Sequence, residues 1–177
     1  MVLFIAAQIM GIGALILLLL SFNKNDKKTL LKFQIISSLF YAIQYIFLAA
    51  FTGFYMNMIC LIRNVIFSKY DDNNKVPIIW LIIVLIVIVI LGIYSYDGPI
   101  SLFPTIGVFI YSISLWQKNL KITRLGEIIA CMLVIVYNIK YKAIAGLIST
   151  SIEICIVFSA IYRFDIRKPK LIDSNNN

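Results

Sequence analysis

Residues 12–31, IGALILLLLSFNKNDKKTLL, recur as residues 106–125, IGVFIYSISLWQKNLKITRL, at a displacement of 94 positions. Eight of the twenty positions are identical, and both segments share the pattern K-N-x-K-x-T in their polar part. Apolar helices match easily by chance, but a shared polar pattern does not come from hydrophobicity, so the two segments indicate an internal repeat. In this register Gln44 matches Asn138, and a shift of one residue near the next turn brings Gly53 onto Gly146.

The composition around this repeat is that of an integral membrane protein. Of the 177 residues, 62% are hydrophobic and 14% are charged, with a mean hydropathy of +0.96, which is outside the range of water-soluble folds. The chain has no His and no CxxC pair, which argues against a zinc site, a His-based triad and a disulfide framework. We therefore expect no cofactor and no enzyme activity. The net charge of +8 lies in short segments between apolar runs, where it reports orientation rather than nucleic-acid binding.

Seven apolar stretches are long enough to cross a hydrocarbon core of roughly 30 Å as helices. They cover residues 3–22, 29–49, 52–69, 77–95, 99–116, 122–141 and 143–163. The second and third together would be too long to cross once, so we predict a tight external turn near Thr52 and Gly53. The fourth begins with Pro77, which suits a first helical turn, and is predicted to face lipid.

The basic residues divide unevenly between the two sides of such a bundle. Fourteen of the sixteen Lys and Arg fall on one side, and only Lys140 and Lys142 fall on the other. The positive-inside rule then places the N-terminus outside and the C-terminus in the cytoplasm. No basic residue precedes the first helix, so it is not expected to be a cleaved signal peptide. Residues 166–177 are predicted to be a disordered cytoplasmic tail.

The repeat and the number of crossings together predict the architecture. Residues 1–69 form a first three-helix repeat, residues 77–95 a linking transmembrane helix, and residues 99–165 a second three-helix repeat. Because one extra crossing joins two odd-numbered units, the repeats are parallel and related by an axis along the membrane normal, as in SWEET carriers. The predicted fold is an all-α membrane protein with seven transmembrane helices in a 3+1+3 arrangement. Its substrate site is expected between the repeats.

Several segments carry a family resemblance. They are residues 12–67, LFPTIG at 102–107, a Trp before a basic loop, VYNI at 136–139, AGLISTSIE at 145–153 and YRFD at 162–165. With these segments the chain resembles the YgjV family of small bacterial inner-membrane proteins over nearly its whole length. That family is similar in turn to the SWEET, PQ-loop and PnuC-type carriers of small solutes. The resemblance implies their fold and a place in the bacterial inner membrane. Pro104-Thr105 stands where a PQ-loop protein carries Pro-Gln.

The third and seventh helices each present a polar face at membrane depth. In the third helix this face follows the spacing i, i+4, i+7 and i+11, and it comprises Gly53, Asn57, Cys60 and Asn64. The seventh helix repeats the face with Gly146, Thr150 and Glu153. Asn57 is the best candidate for contact with a substrate. SWEET carriers use an Asn at the corresponding helix, although its partner position here is Thr150.

Glu153 lies near the predicted bilayer midplane, ten residues from either end of its stretch. A carboxylate at that depth costs several kcal/mol unless it is paired, protonated or hydrated, so it marks a functional site by default. Arg63 is the expected partner, since the two side chains lie at similar depths. However, Arg63 projects about 60° away from the polar face of its helix and could instead reach the cytoplasmic surface.

Other polar residues have simpler interpretations. Gln44 and Asn138 recur at one depth, either as hydrogen-bonding contacts between helices or as the lining of an external vestibule. Glu127 follows Arg124 by three residues and is expected to form a local ion pair with it. The complete set of candidate binding residues is Asn57, Thr150, Glu153, Arg63, Gln44, Asn138 and Asn64.

These observations predict a carrier or facilitator for a small neutral or zwitterionic solute, working by rocking of two three-helix bundles. Its expected partners are the lipid bilayer and that solute, without nucleic acid. The alternative is a binding or sensor protein of the same fold that does not transport and whose buried ion pair is structural. Catalysis would have to rest on Glu153 alone, which makes an enzyme the weakest of the three hypotheses.

Overall fold

The computed structural model describes residues 2–22, 27–70, 76–117 and 119–162. Within these residues the chain forms seven α-helices and no β-strand. The helices are α1 (Val2–Phe22), α2 (Lys27–Phe47), α3 (Phe51–Ser68), α4 (Ile78–Tyr94), α5 (Leu102–Trp116), α6 (Leu120–Lys140) and α7 (Ile144–Ala160). The seven predicted stretches are thereby confirmed as helices. The predicted disordered tail, residues 166–177, and residues 23–26 of the first basic loop lie outside the described residues.

The helices pack in an order that encloses a central space. Helix α2 packs between α1 and α3, and α6 packs between α5 and α7. Contacts of α1 with α7 and of α3 with α5 join these two sets of three helices. Six helices therefore close a ring, while α4 lies outside it against α3 and α5.

Helix α4 turns one narrow face to the protein. Its buried residues recur every three or four positions and are Leu81, Val84, Ile88 and Gly92. Between them lie exposed side chains such as Ile90 (58% exposed) and Ile93 (70%). An apolar surface of this extent is unfavourable in water and is what a lipid-facing helix requires.

Two helical segments are long and apolar enough to cross a membrane by length and composition, Pro99–Trp116 and Lys121–Lys140. Four shorter apolar helical segments accompany them, and these are Val2–Leu17, Leu31–Phe47, Ile78–Tyr94 and Ile144–Ala160. The described chain is thus consistent with a helical membrane protein.

The α2–α3 and α6–α7 turns have the same backbone geometry. In each turn one residue, Ala49 or Lys142, has a φ of 52° in the left-handed region. The N–H that follows it donates to the carbonyl oxygen five residues earlier, of Tyr45 at 2.9 Å and of Asn138 at 3.0 Å. Two non-glycine residues in this uncommon conformation at equivalent places support the internal repeat.

These turns correct the predicted register of the repeat. Tyr45 and Asn138 are equivalent at a displacement of 93, so Gln44 corresponds to Tyr137 and not to Asn138. The bounds of α2 and α6 also differ by 93, whereas the ends of α1 and α5 differ by 94. The one-residue offset therefore falls before α2. A one-residue offset inside a helix would rotate every following side chain by about 100° around the helix axis.

The predicted break near Thr52 and Gly53 is also corrected. The chain turns at residues 48–50, and Gly53 lies inside α3. A Cβ at Gly53 would come within 2.8 Å of the Tyr45 ring and 3.0 Å of the Tyr137 ring. Gly53 is therefore needed for close packing against two aromatic rings and not for the turn.

The segment between α4 and α5 is tied to the α6–α7 turn by Asp97. Its carboxylate accepts a hydrogen bond from the Tyr141 hydroxyl at 2.6 Å, and the Lys140 ammonium lies 3.7 Å from the same oxygen. The Tyr141 hydrogen bond and the Lys140 charge lower the pKa of Asp97. Burial, followed by the hydrogen bond to Asp97, raises the pKa of Tyr141 to about 12.

This contact is expected to hold across a defined pH window. Because the pKa of Asp97 is lower in the folded state than the ordinary value of about 3.9, its contribution is lost as pH falls below that value. Because the pKa of Tyr141 is raised, its contribution is full below about pH 10 and is lost as pH rises toward 12. In Asp97→Asn we expect Tyr141 to titrate at lower pH by NMR of labelled tyrosine, with Tyr141→Phe assigning the signal. An unchanged Tyr141 titration would contradict the contact.

Candidate functional site

A cavity of about 170 Å³ lies at the centre of the helix ring. We call it the central cavity. Side chains of α2, α3, α5, α6 and α7 line it, among them Tyr41, Asn57, Arg63, Glu127 and Glu153. Both sets of three helices contribute, so the cavity lies between the two halves of the repeat. The volume is below the roughly 300 Å³ at which pockets for drug-sized ligands begin, which limits an occupant to a small molecule.

The structure brings five of the seven predicted site residues to the central cavity. They are Asn57, Arg63, Asn64, Thr150 and Glu153. Gln44 and Asn138 are fully buried but do not line it. Asn138 accepts a 2.6 Å hydrogen bond from the Tyr45 hydroxyl, which joins α6 to α2. Gln44 has no hydrogen-bond partner for either amide atom among the described residues.

Asn57 and Thr150 occupy equivalent positions of the repeat and make equivalent hydrogen bonds. The Asn57 amide donates to the carbonyl oxygen of Gly53 at 2.9 Å. The Thr150 hydroxyl donates to the carbonyl oxygen of Gly146 at 2.8 Å. In each bond the side chain donates to a backbone carbonyl of its own helix, so Thr150 presents its hydroxyl oxygen to a ligand as an acceptor, and Asn57 presents its amide oxygen and one remaining N–H.

Arg63 takes neither of the two predicted positions. It is 1% exposed, and its guanidinium donates to Asn64 Oδ1 at 3.1 and 3.0 Å and to Ser112 Oγ at 2.9 Å. The guanidinium carbon lies 4.9 Å from the centre of the Tyr111 ring. Because Arg63 projects away from the polar face of α3, it reaches α5 and does not pair with Glu153 on α7.

Glu153 instead faces Glu127. The two carboxyl groups lie within hydrogen-bonding reach of each other, and the Cys131 thiol lies within reach of Glu153. A hydrogen bond between two carboxyl groups requires a proton on one of them, since an ionised carboxylate only accepts. The positive charges of Arg63 and Arg124 act on Glu127 as well.

Sequence reasoning missed Glu127 as a cavity residue. It is 9% exposed and lines the central cavity, although its place three residues after Arg124 indicates only a local ion pair. The corrected register of the repeat identifies Glu127 as a cavity residue. At a displacement of 93, Glu127 corresponds to the polar residue Gln34 on α2, which also lines the cavity.

Tyrosines join the two halves of the repeat near the two equivalent turns. The Tyr45 and Tyr137 rings pack edge to face, with centres 5.9 Å apart. The Tyr137 hydroxyl accepts a 2.9 Å hydrogen bond from the Gly53 N–H. One layer further in, the hydroxyl groups of Tyr41 and Ser149 are hydrogen-bonded. Each bond joins one half of the repeat to the other.

Tyr137→Phe is expected to destabilise the protein by about 1–3 kcal/mol, the cost of a buried donor left without a partner. The donor is the Gly53 N–H, which lies in the first turn of α3 and has no helical acceptor. Thermal unfolding in mild detergent measures the loss, with Tyr96→Phe as the control because that ring is 54% exposed. Equal unfolding temperatures for the two variants would contradict the assignment.

The part of the chain that the structure describes contains no group of three His, Cys, Asp or Glu side chains placed to hold a metal ion. The polar groups that line the central cavity are amides, hydroxyls, thiols, one guanidinium and one carboxyl pair. An apolar exterior around this polar interior defines a helical membrane protein.

A comparison with known protein families also indicates a membrane protein. The family model Imp-YgjV, described as a bacterial inner membrane protein, matches residues 5–168, and the chain therefore belongs to this family. No curated protein and no solved structure matches the chain. The predicted family and inner-membrane location are thus confirmed.

Proposed function

We propose that the protein is a carrier or facilitator that moves a small neutral or zwitterionic solute across the bacterial inner membrane. The observation that carries the proposal is the central cavity, which lies between two equivalent sets of three helices and holds ionisable groups from both. Buried ionisable groups in a membrane protein are costly and mark solute or ion pathways. No cofactor or catalytic residue is required for this activity.

The proposed architecture is the SWEET-like 3+1+3 arrangement, with seven crossings, the N-terminus outside and the C-terminus in the cytoplasm. Three features support it: the equivalent α2–α3 and α6–α7 turns, the position of α4 outside the ring, and the distribution of basic residues. Repeats of this kind move substrates by rocking against each other around a fixed site. The Tyr45, Tyr137 and Tyr41 contacts between the halves would then open when the outer side opens.

Solute flux into proteoliposomes tests the proposal. Liposomes with and without the purified protein are mixed with a concentrated solute, and the recovery of light scattering reports solute entry. The panel consists of polyols, monosaccharides, nucleosides and neutral amino acids of a size that the cavity admits. We expect at least one solute to enter faster with the protein than without it.

Two results would speak against a carrier. If no solute enters faster than into empty liposomes, the carrier is excluded for these classes. If a solute raises the unfolding temperature of the protein and yet does not enter, the alternative of a binding or sensor protein is favoured. Deletion of residues 167–177 then separates signalling from transport, because a carrier should tolerate the loss.

A further inference from the structure

The central cavity holds two opposite charges that do not touch. Arg63 lines it from α3, and the Glu127–Glu153 pair lines it from α6 and α7. Among the described residues, the nearest partners of the guanidinium are Asn64 and Ser112, and neither glutamate lies within 4.0 Å of it. In a medium of low dielectric constant opposite charges attract strongly. The separation therefore needs a cause.

The cause is the set of hydrogen bonds on Arg63. Three of its five N–H groups are directed by Asn64 and Ser112, and the Tyr111 ring covers one face of the guanidinium. These partners are neutral, so they fix the position of the guanidinium without neutralising its charge. The two carboxyl groups lie within reach of each other on the neighbouring helices α6 and α7, with Arg124 acting on Glu127 and the Cys131 thiol within reach of Glu153. Both charges are held in place before a ligand arrives, as binding sites require.

We propose that the solute is a small zwitterion of the amino-acid type, whose carboxylate binds Arg63 and whose ammonium group binds the Glu127–Glu153 pair. This inference rests on the proposed function and names its substrate class. A guanidinium matches a carboxylate by bidentate hydrogen bonds. An ionised carboxylate of the glutamate pair accepts hydrogen bonds from an ammonium group and supplies its counter-charge.

The rest of the cavity fits the remainder of such a molecule. Met56, Val108 and Val134 are apolar parts of its lining, and they can contact a short aliphatic side chain. The volume of about 170 Å³ suits a molecule of that size. A neutral sugar, in contrast, brings no carboxylate to the buried Arg63 guanidinium, and an unpaired charge is costly at this depth.

A charge series of closely similar ligands tests the inference on the wild-type protein. L-Alanine carries both charges, L-alaninamide lacks the carboxylate, and L-lactate lacks the ammonium group. Glycine, L-serine, L-valine and L-proline, each with its amide, extend the series to other side chains.

Binding is measured by thermal shift and by calorimetry in detergent. We expect at least one amino acid to bind at least about tenfold more tightly than its amide, because the charge-assisted contact with Arg63 is lost. L-Lactate is expected to bind more weakly than L-alanine by a similar factor.

Two variants assign the two ends of the site. Arg63→Lys should weaken binding of the amino acid about tenfold or more and leave the weak binding of the amide unchanged, since the amide does not use the guanidinium. Glu153→Gln should weaken binding of the amino acid and the amide but not that of lactate. Ser68→Ala and Ser151→Ala, on the same two helices, are the controls for stability. If a variant fails to fold, the ligand series on the wild-type protein still decides.

The outcomes separate this inference from the proposed function. Binding of an amino acid with the expected charge dependence, but without flux, upholds the inference and overturns the carrier. Flux of polyols or nucleosides, with no amino acid bound, upholds the carrier and overturns the inference. Equal binding of an amino acid, its amide and lactate also overturns the inference, as does the absence of any amino-acid binding.

Discussion

Thr150→Trp is expected to abolish solute flux in proteoliposomes while leaving a folded protein. Thr150 lines the central cavity from α7 and is 7% exposed. An indole at this position would occupy much of a cavity of about 170 Å³, and a solute could no longer enter. The expected flux is that of empty liposomes, which makes this the largest functional effect that a single substitution should produce.

Ser151→Trp is the matched control. Ser151 is the next residue on α7 and is exposed on the outer surface of the helix ring, where Trp is well tolerated in membrane proteins. We expect Ser151→Trp to keep the flux of the wild-type protein. Size-exclusion chromatography and thermal unfolding of both variants show whether they fold. Full flux through a folded Thr150→Trp protein would exclude the central cavity as the pathway.

Gly126→Val is expected to be the most destabilising of the substitutions proposed. Gly126 on α6 faces Ser114 on α5, and a Cβ at Gly126 would lie only 2.5 Å from the Ser114 Cβ. The Ser114 Cβ is fixed to the backbone and cannot rotate away, so the two helices would have to separate. Overpacking of this kind costs about 1–3 kcal/mol for small additions and more for larger ones.

A smaller pair of substitutions tests the same contact. Gly126→Ala should destabilise the protein although Ala favours helix over Gly by up to about 1 kcal/mol. Adding Ser114→Gly removes the atoms that clash and should recover most of the loss. Gly146→Ala is the comparison, because its nearest neighbour is the side chain of Asn138 at 3.2 Å. Thermal unfolding in detergent measures all four proteins. A Gly126→Ala protein as stable as wild type would contradict the close approach of α5 and α6.

The helices and the faces of α3 and α7 could be predicted from the sequence. Apolar runs of about 20 residues have few alternatives to helix, and the equal spacing of Asn57 and Thr150 from a glycine places both on one side of their helices. The structure keeps both at the central cavity. These features depend only on local periodicity, which the sequence contains.

The charged contacts could not be predicted, because they depend on which helices touch. Arg63 pairs with Ser112 on α5 and not with Glu153, although Arg63 and Glu153 lie at similar depths. Glu127 meets Glu153 because α6 packs against α7. The shared K-N-x-K-x-T pattern also led to a predicted displacement of 94 between α2 and α6, one residue more than the structure has. An error of one residue in a helix changes the direction of each side chain by about 100°. The turn hydrogen bonds of Ala50 and Ala143 correct it.

The native cysteines allow a direct test of whether the central cavity opens to both sides of the membrane. Cys60 lines the cavity, whereas Cys155 is exposed on the outer surface of α7. One variant keeps only Cys60, with Cys131→Ser and Cys155→Ser, and a control variant keeps only Cys155. A permanently charged methanethiosulfonate reagent is added to right-side-out and to inside-out membrane vesicles. If the two halves rock around the cavity, Cys60 is modified in both preparations and Cys155 in neither. Modification of Cys60 from one side alone, or from neither side, would contradict alternating access and with it the proposed carrier.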